Sequence, residues 1–239
     1  MNVLGDLVDP DRGGESVWIH RPGSRSRSWS GRQFCIDAWK AGNLLRHYGV
    51  HESATVSLAD GSTNEDPTPS PQALVGLFGA WVLGASVRTD PPESPPGRAF
   101  VVPATEVGEY DLRPETTALG YDSPPDDPTV VHFEEQRWSE NPIQFPATVE
   151  PEATALTTDA ESYSHADLLA AGQRVADEHD VESLERVALS APLSDPDAVV
   201  AGVIAPLLAG TTITLGSEAA LVVADRDGDD VLRPATARP

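Results

Sequence analysis

Lysine is all but missing from this chain. Lys40 is the single lysine among 16 basic residues, set against 38 acidic ones, and the net charge is −22. So acidic a surface repels nucleic acid and anionic membranes, and neither is expected as a partner. The acids are spread along the chain rather than gathered in one block. With lysine's long apolar stem also avoided, this pattern predicts a protein adapted to high salt, as in haloarchaea. Cysteine is nearly absent as well. Cys35 stands alone, which excludes an intrachain disulfide and points to a reducing, cytoplasmic compartment. Its setting between Phe34 and Ile36 predicts a buried thiol, not a nucleophile. Long apolar runs are lacking too. "AVVAGVIAPLLAG" is too short to span a membrane and contains Pro206. The opening "MNVLGDLVDPDRGG" has no basic region of the kind a signal peptide needs.

What is present is an internal echo. "SWSGRQFCIDAWKAGNLLRHYGVHESATVSLAD", then "PQALVGLFGAWVLGASVRTDPP", parallels "SYSHADLLAAGQRVADEHDVESLERVALSAP", then "DPDAVVAGVIAPLLAGTTITLG". The closing pieces 98–118 and 219–237 also align. Each half reads as helix, strand, helix, strand, strand. Ser30 with Gln33, and Ser164 with Asp167, have capping-box spacing, each preceded by an aromatic, Trp29 or Tyr163. The second helix of each half, Gln72 to Leu83 and Pro196 to Leu208, is apolar almost all round, as a buried crossover helix is. Gly84 and Gly210 follow as left-handed stops. Strand, helix, strand with short joints predicts parallel βαβ units. The expected fold is α/β with two similar βαβ-containing lobes, residues 1–118 and 151–239. A Pro- and acid-rich connector, 119–150, joins them and carries one short helix around 133–140. The acidic loop 60–71 is expected to be mobile.

The order of these segments resembles the N-terminal domain of acyl-adenylate-forming enzymes, the superfamily of acyl-CoA synthetases, luciferases and peptide-synthetase adenylation domains. Residues 29–56 and 73–91 resemble its opening helix-strand-helix run. "SHADLLAAGQRVADEH" resembles its "tHxNLlA" helix, and "APLSDPDAVVAGVIAPLLAGTTITL" its "lPLfHxxGl..gll.pLlaGatvvl" segment. The resemblance covers nearly the whole chain, but only the first half of a full-length family member. It implies two similar α/β subdomains, in agreement with the echo.

The resemblance also implies where a nucleotide site would lie. The family's Thr/Ser/Gly-rich phosphate loop corresponds to "LTTDAESYSH". Thr157 and Thr158 match its start and His165 the histidine after it, which makes these three the candidate cofactor-binding residues. The glycines, the proline and the lysine are replaced, and Asp159 and Glu161 stand there. At about 4 Å and an effective dielectric near 20, a like-charge contact costs on the order of 4 kcal/mol. The acyl-pocket histidine corresponds to Asp195, for which a helix N-cap before Pro196 is the plainer role. No catalytic residue and no metal ligand is expected. "ADRDGDD" (224–230) departs from an EF-hand at Asp230 and Thr236, and reads as a hairpin turn at Asp227-Gly228. "HFEE" (132–135) has no second cluster to complete a metal site. The expected function is that of a truncated, non-catalytic relative acting as a binding or regulatory protein, which binds a protein partner, a paralogue subunit or a small acyl or nucleotide-like ligand, without a cofactor. The alternative is a residual or split AMP-forming synthetase, which would require ATP and Mg²⁺.

Overall fold

A computed structural model describes residues 1–23, 26–219 and 221–224 and the backbone of 231–232. The chain opens with a 3₁₀ turn, Leu4–Leu7, and a one-turn helix, α1 (Pro10–Gly13). A hairpin of β1 (Val17–Arg21) and β2 (Arg27–Ser30) leads into α2 (Gly31–His47). Then come β3 (Thr55–Leu58), α3 (Pro71–Trp81), β4 (Ser86–Arg88), β5 (Ala99–Pro103) and β6 (Thr117–Tyr121). After β7 (Val131–His132) and α4 (Phe133–Trp138), a second hairpin of β8 (Thr154–Thr157) and β9 (Ser162–Ser164) leads into α5 (His165–Glu178). The chain continues through β10 (Arg186–Leu189), α6 (Pro196–Val199), a π segment (Val200–Ile204) and α7 (Ala205–Ala209). It then forms β11 (Thr212–Leu215), β12 (Leu221–Val223) and β13 (Val231–Leu232).

Local chemistry accounts for the helix ends. The Ser164 hydroxyl accepts from Asp167 N at 3.1 Å, and the Asp167 carboxylate accepts from Ser164 N at 3.0 Å, a complete capping box. At Ser30 only half of the box forms. Its hydroxyl accepts from Gln33 N at 3.2 Å, but the Gln33 amide donates to Asp37 at 3.1 Å instead of reaching back. Gly84 and Gly210 take the expected left-handed turn, with φ of 71° and 75°. Pro206 has no N–H to give, and the helix around it loosens to π pairing over Val200–Ile204.

The strands form two sheets, ordered β13-β12-β10-β11-β1-β2 and β7-β6-β5-β3-β4-β8-β9. Pairing is parallel except within the two hairpins. Each hairpin joins the sheet of the opposite half. β1 pairs with β11, Ile19 opposite Ile213, and β8 pairs with β4, Leu156 opposite Val87. Sheet membership therefore does not follow the boundaries expected at 1–118 and 151–239. Residues 17–30 complete the second sheet, and residues 154–164 complete the first. The expected connector also begins inside β6 and contributes β7. Beyond α4 it is strapped to α2, where the Asn43 amide donates to the carbonyls of Asn141 and Ile143 at 2.9 and 2.8 Å. β12 and β13 pair in parallel, and the hairpin turn expected at Asp227-Gly228 lies outside the described residues. The EF-hand-like residues 225–230 lie outside the described residues.

The main apolar cluster runs unbroken through both halves, from Leu4 to Val223. Phe34, Phe78 and Trp81 meet edge to face, with ring centroids 5.5 and 5.0 Å apart. Such pairs each contribute about 0.5–1.5 kcal/mol beyond the area they bury. The Trp81 indole N–H is satisfied by the Ala155 carbonyl at 2.8 Å, which ties α3 to β8. Cys35 is fully buried as expected, and burial pushes its thiol pKa up to about 12.

Candidate functional site

In α/β sheets, ligands bind beyond the carboxyl ends of the strands. Both segments singled out in the sequence lie there. Thr157 ends β8, and Ser190 to Asp195 follow β10.

The phosphate-loop position is a closed turn. Thr158 N donates to the Glu161 carbonyl at 2.9 Å, and Asp159 N to the Asp90 carboxylate at 2.8 Å. The N–H groups of Ala160 and Glu161 both donate to the Thr158 hydroxyl, at 3.3 and 3.2 Å. Four consecutive backbone donors are thereby committed to the protein itself. The Thr157 hydroxyl is turned to the Val87 carbonyl at 3.5 Å. Arg88, at the end of β4, is ion-paired with Asp90 at 3.2 Å and with Asp159. Holding a phosphate requires free N–H donors and uncommitted positive charge. The residues at this turn do not fit a nucleotide triphosphate with its Mg²⁺.

His165 does not join this turn. It is fully buried, and its Nδ1 accepts from Leu4 N at 3.2 Å, so the ring faces the N-terminal 3₁₀ turn. Its Nε2 has no hydrogen-bond partner. Burial lowers its pKa to about 4, with a smaller opposing pull from Asp6. A neutral, enclosed imidazole offers no charge to an anion. Its position is that of a packed core residue, not of the cofactor-binding residue expected.

Asp195 caps α6, accepting from Asp197 N at 3.0 Å ahead of Pro196. Beside it a cavity of about 860 Å³ opens at the ends of β10, β11 and β12, walled on its other side by the loop after β3. Ser62, Thr63, Asn64, Ser190, Ser194 and Ser217 supply its polar lining, and no lining residue among those described is charged. Such a surface can bind through neutral donors and acceptors. Neither Thr157, Thr158 nor His165 reaches it. The loop expected to be mobile, 60–71, is held at its root. Asp60 is 8% exposed, and its Oδ2 accepts from Leu193 N at 2.5 Å while its Oδ1 accepts from Ser62 N at 2.9 Å. The residues that sequence reasoning missed are Asp60, Arg88 and Asp90. Asp60 and Asp90 lie just past a strand and Arg88 is the last residue of one, positions that could have marked them. Among the described residues no group of His, Cys, Asp and Glu could hold a metal ion. His132 of "HFEE" instead lies 3.2 Å from Glu135. No described helix is long and apolar enough to cross a membrane.

No protein-family model and no curated protein matches the sequence. Solved structures do match the fold. The anthranilate CoA ligase AuaEII in complex with anthranoyl-AMP superposes with a TM-score of 0.69 at 19% identity, over 91% of this chain and 45% of the ligase. The N-terminal domain of FACL13 from Mycobacterium tuberculosis gives 0.71 at 16% identity, over 90% and 57%. The acyl-CoA synthetase of Brucella canis gives 0.70 at 13% identity, over 89% and 42%. The chain thus spans about half the length of these structures, and it has the fold of the part of them that it covers.

Proposed function

We propose that this protein is a non-catalytic relative of AMP-forming acyl-CoA synthetases that works by binding. The observation that carries this reading is the closed turn at 158–161. All four of its N–H donors are used internally, and its nearest cation is held by carboxylates. The ligand is a small molecule seated in the cavity between the β3 loop and the ends of β10 to β12. The uncharged lining supports a ligand held by hydrogen bonds and not by ion pairing. A thermal-shift screen of nucleotides, acyl-CoAs, carboxylates and neutral polar compounds tests this. Compounds that fill the cavity are expected to raise Tm, and ATP is not. A rise with ATP that requires Mg²⁺ would defeat the reading.

A partner-binding or subunit role is supported by exposed apolar side chains at the end of α4 and on the strap after it. Trp138 is 80% exposed, with Ile143 and Phe145 nearby. The residual-enzyme reading, with ATP and Mg²⁺ as cofactors and a partner chain, predicts ATP-dependent pyrophosphate exchange upon complementation. Exchange by a reconstituted pair would establish it in place of the binding role.

We also infer an internal duplication. The orders β6-β5-β3-β4-β8-β9 and β13-β12-β10-β11-β1-β2 are equivalent position by position, each ending in a hairpin contributed by the other half. A bulge interrupts both hairpins at the same place, between Val17 and Ile19 and between Thr154 and Leu156.

A further inference from the structure

Beyond the carboxyl ends of β5 and β6 lies a second cavity, of about 520 Å³. That volume falls within the range of about 300–1,000 Å³ usual for small-molecule sites. The two strands run parallel, with Pro103 opposite Tyr121. The chain leaves β5 through a 3₁₀ turn, Val107–Glu109, and bends after β6 at Asp122, whose φ is 68°. Val107, Tyr110 and Leu112 line the cavity and pack on Phe100 and Val102, the Tyr110 and Phe100 rings meeting edge to face at 4.7 Å. Asp126 and Asp127, both exposed, line it as well.

The negative charge here is not offset. Among the described residues no Lys, Arg or His lines the cavity, and no ion pair engages Asp126, Asp127, Glu106 or Glu109. Asp127 Oδ1 accepts from the N–H and the hydroxyl of Thr129, at 2.8 and 2.7 Å, which fixes the carboxylate without neutralising it. Burial raises the Tyr110 pKa, and the carboxylates of Glu106, Glu109 and Asp60 push it the same way. The cavity thus combines an apolar wall and an aromatic ring with uncompensated carboxylates. A bare metal ion does not match it, because no group of His, Cys, Asp and Glu among the described residues could hold one. An ammonium group on an apolar body does. Its charge meets the carboxylates, its body covers Val107 and Leu112, and a tyrosine ring attracts a cation.

We propose that this cavity is a binding site for a small organic ammonium ion, separate from the cavity between the halves and independent of its ligand.

Calorimetric titration with phenethylammonium chloride at fixed ionic strength tests this, with phenethyl alcohol as the neutral counterpart of similar shape. The unsubstituted protein is expected to bind the ammonium ion at least about tenfold more tightly than the alcohol. Asp126→Asn/Asp127→Asn should weaken binding of the ion by about tenfold, while asparagine keeps the acceptor for Thr129. Asp177→Asn/Glu178→Gln removes the same charge from α5, away from the cavity, and should leave the affinity unchanged. Absence of binding, equal binding of the alcohol, or an equal loss in both double variants overturns the proposal. So does a folded Asp126→Asn/Asp127→Asn variant that binds as the parent does. Should that variant fail to fold, Asp126→Asn alone decides in the same way.

Discussion

Asp60 Oδ2 accepts the backbone N–H of Leu193 at 2.5 Å, joining the end of β3 in one sheet to the turn after β10 in the other. Both residues are buried. Asp60→Ala leaves a buried N–H without a partner. It should cost about 1–3 kcal/mol, read by urea unfolding. Asp60→Asn, which keeps an acceptor, should recover much of this. An alanine variant as stable as the parent would show that the bond contributes nothing net.

His165 makes stability depend on pH. An ordinary histidine titrates near 6.5, and burial lowers this one to about 4. Between those values the unfolded chain takes up a proton that the folded chain refuses. The contribution is therefore fully present above pH 6.5 and is lost as pH falls towards 4. Its size is on the order of 3 kcal/mol. The difference in unfolding free energy between the parent and His165→Asn should change across this window. Parallel pH profiles would refute the assignment.

The two helix starts, alike in sequence, should respond differently. Asp167→Ala removes the return bond of a complete box and should destabilise by about 0.5–1 kcal/mol, while Ser164→Ala should cost about 1 kcal/mol. Gln33→Ala should change little, because its side chain bonds Asp37 and not the cap. Thermal unfolding of the three variants checks this order.

Gly79 sits where α3 crosses α2. A Cβ there would lie 2.7 Å from the Ala41 Cβ and 3.0 Å from Gly42 N, and most of that contact is with backbone that cannot step aside. Gly79→Ala should destabilise by roughly 1–3 kcal/mol despite alanine's better helix propensity. Gly108→Ala, where a Cβ meets nothing within 4 Å, serves as the control.

The sequence alone determined what short-range chemistry controls. The Ser30 and Ser164 caps, the left-handed turns at Gly84 and Gly210, the buried crossover helices and the buried Cys35 each depend on residues within a turn or two, so their signals are local. The candidate site was legible only in part. Its place after β8 and β10, and the carboxylates Asp159 and Glu161 in the turn, could be read from the chain. That Asp90 completes the 158–161 turn, or that Asp60 holds Leu193, could not, because those partners are 69 and 133 residues apart. Tertiary structure also decided that each hairpin crosses to the other half's sheet. Alternating apolar residues say that a strand will pair, but not with which edge. Ile19 pairs with Ile213 on a strand that the chain reaches only near its other end, and this exchange lets one continuous core run through both halves.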